Sequence, residues 1–154
     1  MHVQFIDTSV LCHLLEVPGR SSKGEAAEIQ RVFRERFDAG VRFVLPITTV
    51  VETGNFIAQC GEDRRSAAQR FHLALAAAAS DSPPWLIHDV AWNADFVNDL
   101  LAGNGTGVTL IEHFTAKSLG AGDLTILVER DRYAARRSFD TVEIWTTDGA
   151  LSAY

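Results

Sequence analysis

The sequence predicts an α/β fold in which helices pack on a mainly parallel sheet of four strands, or five if residues 108–112 also pair. Two observations carry this reading. Short apolar runs of strand length, such as Val3-Gln4-Phe5-Ile6 and Val41-Arg42-Phe43-Val44-Leu45, alternate with longer segments whose apolar residues recur at helical spacing. Carboxylates then stand at the ends of such runs or at helix mouths, where open parallel sheets build their ligand crevice. At 154 residues the chain is read as a single domain, residues 1–154, large enough to bury its core without metal or disulfide staples.

A first strand is expected over residues 2–6 and a short helix over 9–15. Val17-Pro18-Gly19-Arg20-Ser21-Ser22 is a loop whose end can cap the next helix. From 22 to 39, Ala26, Ile29, Val32, Phe33 and Phe37 recur at helical spacing, and Gly40 stops the run. A second strand follows at 41–45. Pro46 suits the first turn of a helix carrying Val50, Val51, Phe56 and Ile57. Residues 63–79 form another helix, which Asp81-Ser82-Pro83-Pro84 breaks, and Trp85-Leu86-Ile87-His88 reads as a third short strand. Residues 91–101 are helical and 103–107 a glycine-rich loop. Residues 108–112 are either a strand or the start of a helix, since periodicity does not separate the two. The helix after Asp123 is expected to reach Glu129 or Asp131. The last strand is placed at 142–146, with a turn or short helix to Tyr154.

Composition is globular, with 47% hydrophobic and 22% charged residues. Cys12 and Cys60 lie in apolar stretches without metal-type spacing, so they read as small core residues of a reduced protein. No apolar run approaches a membrane span, and Met1-His2-Val3-Gln4 lacks the basic start of a secretion signal, so a cytoplasmic protein is expected. The net charge of −6 argues against a protein that coats nucleic acid. It leaves room for a nuclease, in which several acids would serve cations. Arginines cluster locally at Arg31-Arg34-Arg36, Arg64-Arg65 and Arg130-Arg132-Arg136-Arg137, each cluster read first as a solvated helix face.

The chemistry concentrates in Asp7, Glu52, Asp123 and Asp148. Asp7 closes the first apolar run, Glu52 lies a short stretch beyond the second, Asp123 follows Gly120-Ala121-Gly122, and Asp148 ends Val142-Glu143-Ile144-Trp145-Thr146-Thr147. A single aspartate in such a place is most simply a helix cap. Glu52 fits that role poorly, since it sits inside the apolar stretch 47–57. Four carboxylates gathered at one crevice repel one another unless protons or hard cations neutralise them. Their oxygens suit Mg²⁺ or Mn²⁺, and no Cys/His cluster offers a zinc site.

These same residues bring a family resemblance. Phe5-Ile6-Asp7-Thr8-Ser9-Val10-Leu11 resembles the opening of PIN domains, the metal-dependent ribonuclease fold found in VapC-type toxins. Thr48-Thr49-Val50-Val51-Glu52 is similar to the stretch holding the family's helical glutamate. Gly120-Ala121-Gly122-Asp123-Leu124-Thr125-Ile126-Leu127 is similar to that of its third acid, and Ile144-Trp145-Thr146-Thr147-Asp148 to that of its fourth. The motifs run in the family's order from Val3 to Ala153. Residues 103–119 and 131–141 depart from it as extra material. The resemblance implies a three-layer α/β/α domain and an endoribonuclease that hydrolyses RNA phosphodiester bonds, the toxin of a toxin–antitoxin pair. It also implies a homodimer and a small antitoxin that lays an arginine near Asp7 and Asp123.

In that chemistry Asp7, Asp123 and Asp148 are the expected direct ligands of Mg²⁺ or Mn²⁺, and Glu52 is a ligand or orients the attacking water. Thr8 and Thr146 are placed to hold a carboxylate rotamer. Asn55, one helical turn from Glu52, is placed to touch substrate or water. His13, His72, His88 and His113 show no ligand spacing and read as surface or satisfied core residues. Trp85, Trp92 and Trp145 read as core or interface aromatics. For assembly, Phe33, Phe37, Phe71, Leu73 and Leu75 exceed what one face of a thin sheet can cover, which fits the homodimer. Two other functions compete. One is a catalytically inactive PIN-like module that binds RNA or protein, for which four mutually repelling acids serve no purpose. The other is a haloacid dehalogenase-like phosphatase, which needs an aspartate two residues after its nucleophile, where this chain has Ser9.

Overall fold

The first strand becomes the centre of the sheet. In the computed structural model, which describes residues 1–154, β1 (His2–Ile6) pairs in parallel with β2 (Arg42–Val44) on one side and β3 (Thr141–Trp145) on the other. Phe5 lies beside Val44 in one register and beside Ile144 in the other. Seven helices complete the chain: α1 (Thr8–Leu14), α2 (Lys23–Asp38), α3 (Ile47–Ala58), α4 (Arg64–Ala79), α5 (Ala94–Leu101), α6 (Leu110–Ala116) and α7 (Ala121–Ala135). A short 3₁₀ turn, Leu151–Ala153, lies near the C-terminus.

Strand alternation divides the core in two. Val3 and Phe5 of β1 join Val44, Leu124, Ile126 and Leu127 on one face, with Leu100 of α5 and Leu110 of α6 against them. Ile6 turns to the other face, where Phe43 and Trp145 meet Val10 and Leu11 of α1 and Ile57 of α3. Ile29 and Phe33 of α2 and Phe71 of α4 pack at its edge. Helices therefore cover both faces of the parallel sheet, as βαβ connections require. Val3, Phe5 and Ile6 are wholly buried, each contributing roughly 1.5–3 kcal/mol of burial.

The sheet has three strands, fewer than the four or five expected from the sequence. Trp85 makes a single parallel bridge to Phe43: the Phe43 N–H donates to the Pro84 carbonyl at 2.8 Å and the Leu86 N–H to the Phe43 carbonyl at 2.9 Å. The pairing stops there because β2 is only three residues long and Pro46 soon follows. The Ile87 N–H then turns to the Asp81 carboxylate at 3.2 Å. Within residues 108–112, Thr109 is a helix cap and Leu110 to Glu112 form the first turn of α6. Thr109 accepts from the Glu112 N–H and Glu112 accepts from the Thr109 N–H, a reciprocal cap that starts α6 and leaves no strand.

Local chemistry explains the other boundaries. Ser22 caps α2 by accepting from the Glu25 N–H. α5 begins three residues later than expected, because the Asn93 side chain accepts from the Phe96 N–H. α7 continues to Ala135, past the expected end at Glu129 or Asp131, with Tyr133 buried in the second core. Gly103, in the predicted loop, has φ +74°, and a Cβ there would strike the Val108 carbonyl oxygen at 1.8 Å. No helix is long and apolar enough to cross a membrane. Cys12 and Cys60 are both buried and free.

Candidate functional site: an acidic cleft at the strand ends

Topology decides where the acids meet. β1 lies between β2 and β3: the chain passes to one side of it to form β2 and returns on the other side to form β3, so a crevice opens beyond its carboxyl end. Asp7 follows β1 directly, α3 carrying Glu52 follows β2, and Asp148 follows β3. Asp123 enters from the first turn of α7. All four line one cleft of about 390 Å³, together with Thr8, Ser9, Cys12, His13, Arg20 and Phe56.

Each carboxylate is held by a donor close in sequence or across the sheet. Asp7 is nearly buried, and its Oδ2 accepts from Thr146 Oγ1 at 2.7 Å and Ser9 Oγ at 3.0 Å. Ser9 Oγ also accepts from the Thr147 N–H at 3.0 Å, which ties α1 to the end of β3. Thr8 Oγ1 donates to Glu52 Oε1 at 3.1 Å. Asp123 Oδ2 accepts from the Gly120 N–H at 3.0 Å, so it acts as a cap while its side chain lines the cleft. Asp148 is exposed; its Oδ1 accepts from the Ala150 N–H and its own N–H donates to Thr146 Oγ1.

Burial and crowding act in the same direction on two of these groups. The Glu52 carboxyl is pushed above its ordinary value first by burial and then by the charges of Asp7 and Asp123, against the opposing Thr8 hydrogen bond. Asp123 is pushed up first by burial and then by Asp7 and Asp148, against the Gly120 N–H. Desolvation outweighs repulsion in both. The donor set is entirely hard oxygen, which fits Mg²⁺ or Mn²⁺. No three ligating side chains close into a coordination group; the carboxylates share a cleft and stand apart within it.

The structure brings together Asp7, Glu52, Asp123 and Asp148 and places Thr8 and Thr146 on their carboxylates, but not Asn55. Asn55 is exposed and does not line the cleft. Phe56, the next residue, is the one that turns inward from α3.

Several cleft residues carried no such reading in the sequence. Ser9 holds Asp7, and its place two residues later was the available signal. Arg20 reaches the cleft from the loop before α2, its guanidinium 3.6 Å above the Phe56 ring. Gly122 provides clearance: a Cβ there would stand 2.7 Å from Glu52 Oε1 and 3.1 Å from the Thr48 methyl. His13 is a satisfied buried histidine, bonded to Ser21 Oγ and near Glu25, and His113 likewise lies between Thr106 and Ser118. Burial pushes the Cys12 thiol up to about 11, which marks it as an inert wall of the cleft. Comparison with family models, curated proteins and solved structures returns no match for the chain.

Proposed function

We propose that the chain is a PIN-like, divalent-metal-dependent endoribonuclease. The observation that carries the proposal is the convergence of four carboxylates, two of them braced by threonine hydroxyls, at the carboxyl ends of parallel strands. Asp7, Asp123 and Asp148 would hold the cation, with Glu52 beside them. Bound Mg²⁺ or Mn²⁺ supplies Lewis acidity, which activates water and offsets charge on the phosphodiester. The chain's own residues do the rest. Ser9 and Thr146 fix the Asp7 carboxylate, Thr8 aims Glu52, and the raised affinity of Glu52 for protons suits it to accept one from an attacking water. Arg20, parked on Phe56, offers a guanidinium to the incoming phosphate.

The direct test incubates the purified chain with a panel of structured RNAs in Mg²⁺, in Mn²⁺ and with chelator. Cleavage that requires the cation is expected. Binding without cleavage under every condition would instead favour the inactive RNA- or protein-binding module.

Gly122→Ala is a finer probe. The new methyl is expected to displace the Glu52 carboxylate and slow cleavage on the order of a hundredfold, as small misplacements of catalytic groups do. The melting temperature should move little, because crowding costs roughly 1–3 kcal/mol while alanine gains about 1 kcal/mol in a helix. Cleavage at the wild-type rate would remove Glu52 from the mechanism.

The same reading extends to biology as the toxin of a toxin–antitoxin pair, working in the cytoplasm as a homodimer under a small partner that lays an arginine on Asp7 and Asp123. Of the apolar residues counted toward that contact, Leu73 on α4, 67% exposed, and Phe37 on α2 stay at the surface, whereas Phe33 and Phe71 pack against the core. Light scattering at tens of micromolar is expected to give twice the chain mass; a strict monomer would reject the homodimer.

A further inference from the structure

Arg132, near the end of α7, and Arg136 and Arg137, just past it, take no part in the acidic cleft and border a second cavity of about 230 Å³ that shares no residue with that cleft. The cavity lies between the C-terminal half of α7 and the irregular segment at residues 87–91. Glu129, Arg132 and Tyr133 fall on one face of the helix at i, i+3 and i+4, with Arg136 and Arg137 following. His88 and Phe96 form the facing wall.

Its inner end is an incomplete polar site. Glu129 is 2% exposed, and its Oε2 has no hydrogen-bond partner. The His88 ring nitrogen stands 3.9 Å away, beyond hydrogen-bond reach. The other Glu129 interaction is with the backbone N–H of Ile47 at the start of α3. Arg132 bonds Asp99 through Nη2 at 2.6 Å, yet its buried Nε is unpartnered. A buried carboxylate oxygen without a donor is costly and rare, and a ligand that supplies the donor relieves that cost. At the outer end, Arg136 and Arg137 are exposed and form no ion pair, and Arg137 leans over the Tyr133 ring with 5.5 Å to its centroid. The ends therefore differ: an acceptor inside, aromatic rings along the wall and free guanidinium groups outside.

We propose that this cavity binds a nucleoside 5′-monophosphate, with the base directed at Glu129 and the phosphate held by Arg136 and Arg137. Each nucleobase carries an N–H donor for the free oxygen and a flat face for Tyr133 and Phe96. The guanidinium fork matches a phosphate. The volume is below the roughly 300–1,000 Å³ typical of drug-sized ligands. It admits the base and leaves the charged group at the mouth, where the arginines are. The same chemistry is presented by a free nucleotide and by the 5′-phosphorylated end of an RNA. The site stands apart from the ribonuclease reading.

Calorimetric titration of the full chain tests it with the four ribonucleoside 5′-monophosphates, the matching nucleosides, inorganic phosphate and a 5′-phosphorylated trinucleotide. At least one monophosphate is expected to bind with Kd below about 1 mM, and its nucleoside at least about tenfold more weakly. Replacing both Arg136 and Arg137 by Ala, at exposed positions that leave the core intact, should weaken the monophosphate at least about tenfold. Glu129→Gln should change the order of preference among bases. Asp7→Asn should bind as the wild type does, separating this site from the acidic cleft. A trinucleotide that binds more tightly than every monophosphate identifies an RNA end as the ligand; the reverse order identifies the free nucleotide. No monophosphate binding, binding matched by inorganic phosphate alone, or affinity unchanged in the double arginine variant would each overturn the proposal.

Discussion

Asp7→Asn is expected to abolish divalent-dependent RNA cleavage, by about a thousandfold or more, while leaving the fold intact. The amide keeps the shape and can still accept from Thr146 Oγ1 and Ser9 Oγ. What it loses is the charge that would hold the cation, and Lewis-acid stabilisation of a phosphodiester transition state is worth several kcal/mol, or some three powers of ten in rate. Asp7 is also the carboxylate whose charge bears on both Glu52 and Asp123. Neutralising it should bring both pKa values down toward their ordinary range. Without added metal, the melting temperature should therefore hold or rise slightly. Cleavage in Mg²⁺ at the wild-type rate would remove Asp7 from the catalytic set.

Glu129→Gln is expected to stabilise the protein at neutral and alkaline pH and to leave it unchanged in acid. Burial pushes the Glu129 carboxyl up from 4.5 to about 7, only partly opposed by the Ile47 N–H. Below pH 4.5 the folded and unfolded chains both carry the proton, and the buried charge costs nothing. Between 4.5 and 7 the unfolded chain releases its proton while the folded chain keeps it, so this group's contribution to stability falls as pH rises. Above pH 7 both states are ionised and the whole cost is present. It amounts to about 3 kcal/mol, since each tenfold change in proton affinity is worth roughly 1.4 kcal/mol. Glutamine keeps an acceptor for Ile47 and removes that cost. Denaturant titrations of both proteins at pH 4 and pH 8 check the sign. An equal difference at the two pH values would show that Glu129 has an ordinary carboxyl in the folded chain.

The sequence by itself determined the elements that local chemistry controls. The apolar run at Val3 to Ile6 read as a strand, Gly40 as the stop after α2, and Ser22 had the side chain to cap its start. It also marked Asp7 and Asp148 just past strand ends, Glu52 in the helix that follows β2 and Asp123 at the mouth of α7, and the parallel topology carries all four to one side. Thr109 and Glu112 held a local signal as well, the reciprocal cap that makes residues 110–116 a helix, although apolar spacing there was ambiguous.

Tertiary structure decided the rest. Trp85 carries strand-like neighbours, yet whether they join the sheet depends on how much of β2 remains to pair, and three residues give room for one bridge. Asn55 and Phe56 are adjacent on α3, and only the angle at which that helix docks sets which of them enters the cleft. Arg20 and Glu129 lay outside the motifs altogether. Arg20 is brought to the acids by a loop packed on Phe56, and Glu129 is buried because α7 runs past the start of α3. Hydrogen bonds between near neighbours are written in residue order, whereas burial and the meeting of distant side chains depend on helix packing, which no local pattern encodes.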